Sequence, residues 1–300
     1  MAKIQKLADK KNMKNILSID LESWVHFYID ALKLYADSEN FDIKKLDNNY
    51  IPNATENLLA ILQKHNQKAT FFVLAEFFNF YPKTIEKIEK AGHEIAYHTY
   101  NHALIKNKNI LQNQLEKSQN FLTRFKPIGF RAPQIFITKE SFELLKQHGF
   151  EYSSSSYDDF HISNINGIKE IPVSVFSLFN KKSTSSGSSD SFPKNLKLKM
   201  LFSKVPFGSG IIFAIFGSKL SIFINQLNKK GIPAIIFLHP WQLYQTDEIT
   251  NLRFKFSVLL KNPLCFFYTK NRLKSFEKLL QKHQFTTFKK MFFKGENENC

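Results

Sequence analysis

Gly92–His102 reads GHEIAYHTYNH. The run EIAY is too short for a helix, and a glycine punctuates its start, so it reads as a buried strand. Pro82–Ala91 precedes it, with proline in the first turn and Gly92 as the stop, which is how a helix begins and ends. Two histidines follow the strand at once. A helix, a buried strand and polar chemistry at the strand's C-terminal end form the unit from which parallel α/β folds are built.

The same rhythm extends in both directions. Asn15–Asp20 (NILSID) is a first strand ending in acid, and Thr55–Asn66 is a helix capped by Thr55 or Asn53. Ala69–Leu74 (ATFFVL) is a buried strand. Downstream come a polar helix Asn109–Phe125, a strand Pro127–Phe130 running into Arg131, and a helix Thr138–His148 stopped by Gly149. Strands Glu151–Ser155 and Lys169–Phe176, a helix Lys219–Lys230, a strand Ala234–Leu238 and a helix Thr269–His283 complete the series. The alternation predicts βαβ units around a mostly parallel sheet.

The chain has 300 residues, of which 43% are hydrophobic and 23% charged. Those proportions supply a full core and exclude a wholly disordered chain. Gly208–Ile224 is the most apolar stretch, but Lys219 and several Gly and Ser interrupt it, so no transmembrane helix is expected. Residues 1–12 read as a loose polar tail rather than a secretory signal. Residues 13–294 read as one catalytic unit, with a Ser-rich flexible excursion at about 180–195. Cys265 and Cys300 are the two cysteines, which excludes a disulfide framework and a cysteine-based zinc site, and points to a cytoplasmic setting. The net charge is +16, and between Arg253 and Lys294 eleven Lys/Arg face one acid, Glu277. A solvated basic face accounts for this most simply. A peripheral contact of this C-terminal region with a membrane or an anionic polymer, at the inner face of the membrane, is the sharper expectation. No nucleic-acid recognition motif appears.

Candidate chemistry falls at predicted strand ends, where parallel α/β folds build their sites. Asp20 and Glu22 stand two apart, so they share one side of the chain, and a cation or an arginine must relieve their repulsion. His98 and His102 are spaced i, i+4, which one helical turn would bring together. Two neutral imidazoles and a carboxylate are a common zinc set, although this spacing alone is more often chance. Arg131 lies in an apolar strand end and needs a carboxylate partner, because it cannot lose its charge. His239 closes IIFLH and precedes Pro240–Trp241; alone, it is as easily a core histidine.

Together these residues resemble the polysaccharide deacetylases of the NodB-homology group, carbohydrate esterase family 4. SIDLESW, GHEIAYHTYNH, GFRAP and IIFLHPWQL resemble that family's motifs in order, and the C-terminal helix with FTTF is similar to a subgroup associated with surface-polysaccharide synthesis. The resemblance covers roughly Asn15 to Phe292. It implies a distorted (β/α)7 barrel and a metal-dependent hydrolase that removes an N-acetyl group from an amino sugar of a cell-surface or cell-wall glycan. It further implies Asp20 as general base, Arg131 as its partner and His239 as general acid. Glu22, His98 and His102 would hold a divalent metal, with Zn2+ the expected ion. The backbone N–H of Gln134 would donate to the oxyanion. Trp241 should wall the pocket or pack beneath it, because Pro240 fixes the turn between it and His239. Two departures are visible. The acids are Asp-x-Glu rather than adjacent aspartates, and EYSSSS stands where relatives carry an aspartate that tunes the acid histidine, so that Asp158 or Asp159 would have to substitute. A hydrolase of a non-sugar amide on the same barrel, and a catalytically silent glycan-binding barrel, are the alternatives.

Overall fold

A computed structural model describes residues 13–27, 42–158, 160–177, 204–253 and 270–293. Residues 1–12, the 180–195 stretch, Asp159, Cys265 and Cys300 lie outside the described residues.

Seven parallel strands run in one series among these residues, β1 Lys14–Leu21, β2 Thr70–Val73, β3 Glu94–Tyr97, β4 Gly129–Phe130, β5 Tyr152–Ser153, β6 Ile168–Glu170 and β7 Ile235–Leu238, and an eighth, Gln284–Thr286, pairs parallel to the start of β1. Their spatial order is β7-β1-β2-β3-β4-β5-β6, with Ser163–Ile165 antiparallel on the outer edge of β6. Every residue of β1 after Lys14 is buried, as befits a strand covered on both faces. Between β6 and β7 the wall closes without a regular ladder. Gly208 N–H donates to Ser174 O at 2.9 Å, and Phe237 N–H donates to Gly208 O at 2.8 Å. Any Cβ on Gly208 would stand 2.3 Å from Ile235 O, so only glycine lets the chain pass here.

Strand alternation sorts the side chains into two sets. Leu17, Ile19 and Leu21 of β1 join the main cluster beneath the helices, with Phe71 and Val73 of β2. Ile16, Phe72, Ala96, Tyr152 and Ile235 form a second cluster with Phe288. Tyr152 stacks on Phe288 at 5.1 Å, so the C-terminal helix Phe288–Phe292 closes one end of the barrel. The same parity carries Ser18, Asp20 and Glu22 to the inner side at the other end.

Several expected elements need correction. The helix expected from Thr55 begins at Tyr50, and Asp47 accepts the Ile51 N–H at its start, so Thr55 is a buried interior residue rather than a cap. Asn109–Phe125 is two helices, Lys108–Lys117 and Gln119–Phe125. The break is at Ser118, whose hydroxyl donates to Gln114 O at 2.7 Å. Lys169–Phe176 divides into β6, Val173–Ser174 and Phe176–Ser177, because Pro172 lacks the N–H a ladder needs. By length and composition alone the helical stretch Gly210–Lys229 is long and apolar enough to cross a membrane, contrary to expectation. Ile212, Phe213, Leu220 and Ile224 along it are packed into the main core, which makes it an integral wall of this fold.

Candidate metal and catalytic site

β1 ends in a turn in which the Glu22 N–H donates to Asp20 O at 2.9 Å. Both carboxylates therefore face the barrel mouth, and both are buried. β3 delivers His98 to the same place. The His98 Nδ1–H donates to Arg131 O at 2.7 Å, because a carbonyl can only accept. That bond fixes the tautomer and leaves the lone pair on Nε2, which stands 3.1 Å from Glu22 Oε1. His102 Nε2 lies 3.3 Å from the same oxygen.

The i, i+4 histidines do not converge through a helical turn, as their spacing suggested. Thr99 and His102 both have left-handed backbone, φ 73° and 64°, and the His102 N–H bonds to Thr99 Oγ1 at 3.1 Å. A tight loop, not a helix, aims the two rings.

The donor set fits a cation. A neutral His98 presents an acceptor to a carboxylate oxygen, and that contact is repulsive unless a positive charge lies between them. Glu22, His98 and His102 each offer one atom, all within 4.8 Å of one another. Three ligands about 2.1 Å from a tetrahedral centre would stand roughly 3.4 Å apart, close to the separations seen here. Burial pushes the Glu22 carboxyl up, but the imidazoles, His102 foremost, outweigh it and hold it well below the usual carboxylate range. Behind His102 lies a pair the sequence reading missed: His26 Nε2 and Glu76 Oε1 at 2.9 Å, both buried, with the His26 ring 6.0 Å from that of His102.

Arg131 is completely buried. Its Nη1 donates to Asp20 Oδ1 at 2.7 Å and to Ser18 Oγ at 2.8 Å. Its Nε and Nη2 donate to Ser154 O and Ser154 Oγ, each at 2.9 Å. The guanidinium lies 4.1 Å over the Phe72 ring. The serine stretch that replaced an expected aspartate thus supplies a neutral cradle for Arg131. Ser155 Oγ accepts the Ala132 N–H at 2.9 Å, which fixes the next residue too. The carboxylate of this region is Glu170. Its Oε1 accepts from Ser155 N–H and Ser156 Oγ, both at 2.7 Å, and burial raises its pKa.

His239 follows β7, with Nε2 3.6 Å from Glu22 Oε1. Asp20, Glu22 and His239 form a second group whose atoms lie within 4.8 Å of one another. Gln242 holds His239 from below. Gln242 Oε1 accepts the His239 N–H at 3.0 Å, and the His239 ring accepts from the Gln242 backbone N–H. With Nδ1 as acceptor, the neutral ring carries its proton on Nε2, toward the site. Burial lowers the His239 pKa, and the carboxylates of Glu22 and Asp20 offset this only in part. Of its two expected places, Trp241 takes the one beneath the pocket. It is 1% exposed and stacks on the His239 ring at 4.4 Å, so it supports the imidazole. Gln134 is exposed and left-handed, φ 55°, just past Pro133, where its peptide turns sharply away from β4. Asp159, one of the two expected substitutes for the missing acid, lies outside the described residues.

The resemblance drawn from the motifs is borne out by comparison with known proteins. Residues 40–153 match the family model described as polysaccharide deacetylase. Over 109 residues the chain is 31% identical to a peptidoglycan-N-acetylglucosamine deacetylase of Bacillus cereus, covering 35% of this chain and 40% of that protein. Over 157 residues it is 27% identical to a peptidoglycan-N-acetylmuramic acid deacetylase of Bacillus subtilis, covering 50% and 59%. The chain thus spans about half the length of these curated relatives. A Mycobacterium smegmatis structure assigned to the polysaccharide deacetylases superposes with a TM-score of 0.50 at 20% identity, over 76% of this chain and 77% of that one. That superposition places the fold among the distorted (β/α)7 barrels.

Proposed function

With residues 40–153 matching the polysaccharide deacetylases, we propose that this protein is an amide hydrolase that removes the acetyl group from an N-acetylated amino sugar of a glycan, giving acetate and a free amine. One observation carries the reading: a buried carboxylate held by a buried arginine stands beside three converging metal-type donors at one end of a parallel barrel. The relatives named above act on peptidoglycan amino sugars, which supports the same substrate class here.

Glu22, His98 and His102 would hold the divalent metal, for which Zn2+ fits the nitrogen and oxygen donors. When bound, such an ion polarises the acetyl carbonyl and makes water a stronger acid. Asp20 takes the proton of the attacking water. Arg131 aims Asp20 and lies against its charge, and its own position is fixed by donors committed to Ser18 and Ser154. The backbone N–H of Gln134 donates to the carbonyl oxygen as negative charge develops there. In its doubly protonated form His239 gives a proton from Nε2 to the departing amine, which is otherwise a poor leaving group, and returns to the neutral ring.

Acetate release from N-acetylglucosamine oligomers, measured with metal content on the same sample, tests the proposal. Turnover that chelator abolishes and Zn2+ restores supports it. Asp20→Asn should lose turnover and keep metal. A metal-loaded wild-type protein that releases no acetate from any N-acetylated glycan would refute the reading.

A further inference from the structure

The helical stretch Gly210–Lys229 has two unlike faces. Ile212, Phe213, Ala214, Leu220 and Ile224 are at most 3% exposed and belong to the core. Ile215, Phe216 and Ile222 are 40%, 44% and 57% exposed, and they are three of the four large apolar side chains open to solvent among the described residues. Ile215 and Phe216 are adjacent at the end of the first helix, and Phe216 stands 6.5 Å ring to ring from Phe223, which follows Ile222 in the next. Isolated exposed apolar residues are ordinary, but a contiguous patch calls for an occupant.

The charge around the patch identifies one. Arg272 bonds to Ala214 O and, at 3.0 Å, to Ile215 O, which completes the carbonyl end of the first helix beneath the patch. The helix Leu273–Lys282 then packs against the turn after it, where a Cβ on Gly217 would stand 2.7 Å from Ser275 Oγ. That helix and its approach carry Lys270, Lys274 and Lys278, all exposed. Its acid, Glu277, is turned away, bonded to Lys64 at 2.8 Å. The stretch itself adds Lys219 and Lys229, Lys230 follows it, and the sequence holds no acid between Lys204 and Thr246. An apolar strip beside lysines and an arginine, with the one acid of the neighbouring helix already paired to Lys64, is the pattern of surfaces that lie in the headgroup region of an anionic bilayer. A second copy of the chain would bring like charges together, which disfavours self-association.

We propose that the face formed by Ile215, Phe216 and Ile222, with Lys270, Lys274 and Lys278 beside it, docks this protein onto anionic lipid bilayers. The face shares no residue with the catalytic site, so the inference stands whether or not the deacetylase reading holds.

Sedimentation of the full chain with vesicles of phosphatidylcholine alone, and with about 30 mol% phosphatidylglycerol, tests it. Binding should require the anionic lipid and weaken as salt rises. Ile215→Ser/Phe216→Ser/Ile222→Ser should lower the partition constant at least about tenfold, with catalytic activity unchanged. Lys274→Ala/Lys278→Ala should lower it roughly fivefold per lysine, and carries the test if the first variant folds poorly. Absence of binding to anionic vesicles overturns the proposal. So does binding that both variants leave unchanged, or a dimer in solution that the apolar variant dissolves while vesicle binding is absent. Equal capture by soluble anionic polymer and by vesicles, insensitive to the apolar substitutions, would likewise assign the face to charge alone and overturn lipid docking.

Discussion

Replacing Arg131 by methionine isolates what the buried pair contributes. The guanidinium is completely buried and makes four hydrogen bonds, one of them to the Asp20 carboxylate. Methionine matches its bulk over Phe72 but has no donor. The Ser18 and Ser154 hydroxyls can rotate toward other partners, so most of the cost comes from Asp20, left charged and buried. Removing one partner of such a pair typically costs about 3–5 kcal/mol. A domain of this kind has roughly 5–15 kcal/mol in all, so the variant should remain folded and measurable. Urea unfolding followed by circular dichroism, in chelator so that no cation compensates Asp20, should show a fall of about 4 kcal/mol. Arg131→Lys should recover little, because one ammonium cannot span Asp20, Ser18 and Ser154 together. The double variant Asp20→Asn/Arg131→Met should regain at least about 2 kcal/mol over the single one, since no charge is then stranded. It should remain inactive. A loss below about 1 kcal/mol in Arg131→Met, or a double variant no more stable than the single, would refute the account of Arg131 as the compensating charge.

Three further outcomes follow from the same geometry. His239→Ala should lower kcat by about 10²–10⁴ with metal content unchanged, and the wild-type profile should lose activity as pH rises through a His239 pKa lying below the ordinary 6.5. Gln242→Met keeps the bulk of a fully buried side chain but frees the His239 N–H and Gly210 O, now bonded to it at 3.0 and 2.7 Å. Steady-state kinetics should show kcat down about tenfold with KM little changed, because the acid is misplaced rather than removed. At the other end of the barrel His93 accepts the Ala69 N–H on Nδ1, and burial with Lys68 nearby lowers its pKa to about 4. The unfolded chain binds that proton near 6.5, so about 3 kcal/mol of stability should be present above pH 6.5 and lost as pH falls toward 4. His93→Gln should flatten that part of a pH series of thermal melts.

Much of the barrel was legible because its strands are short, apolar and punctuated. β2, β3 and β7 lie within a residue of their expected bounds, since ATFFVL, EIAY and AIIFL admit little else. The same parity rule made Asp20 and Glu22 neighbours on one side. What the sequence hid was mostly backbone geometry. HxxxH offers a helical turn, yet left-handed Thr99 and His102 bring the rings together by another route, and single-sequence spacing cannot tell one from the other. The serines were hidden for a different reason. A run of four serines, Ser153–Ser156, reads as loop chemistry, and nothing local shows that Ser154 will meet an arginine 23 residues earlier in the chain. Gln242 was likewise unremarkable until its side chain was placed between β7 and Gly210. The helix at Gly210–Phe216 escaped because its small and apolar residues carry no amphipathic period.

The spacing of Asp20 and Glu22 has a consequence that adjacent acids could not share. Neighbouring residues on a strand point to opposite faces, so two adjacent carboxylates need an immediate turn to serve one site. Here Leu21 intervenes and is buried in the outer core, and the turn that closes the strand, with the Glu22 N–H on Asp20 O at 2.9 Å, leaves both acids facing inward. The two acids then divide the work by reach. Asp20, the shorter, stays at the wall, where Arg131 holds it at 2.7 Å. Glu22 stands one step further along and one methylene longer, and its Oε1 extends to within 3.1 Å of His98, 3.3 Å of His102 and 3.6 Å of His239. One carboxylate is committed to a permanent cation of the protein and the other to the imidazoles. Their mutual repulsion is relieved separately, so the two carboxylates stand side by side without competing for the same positive charge.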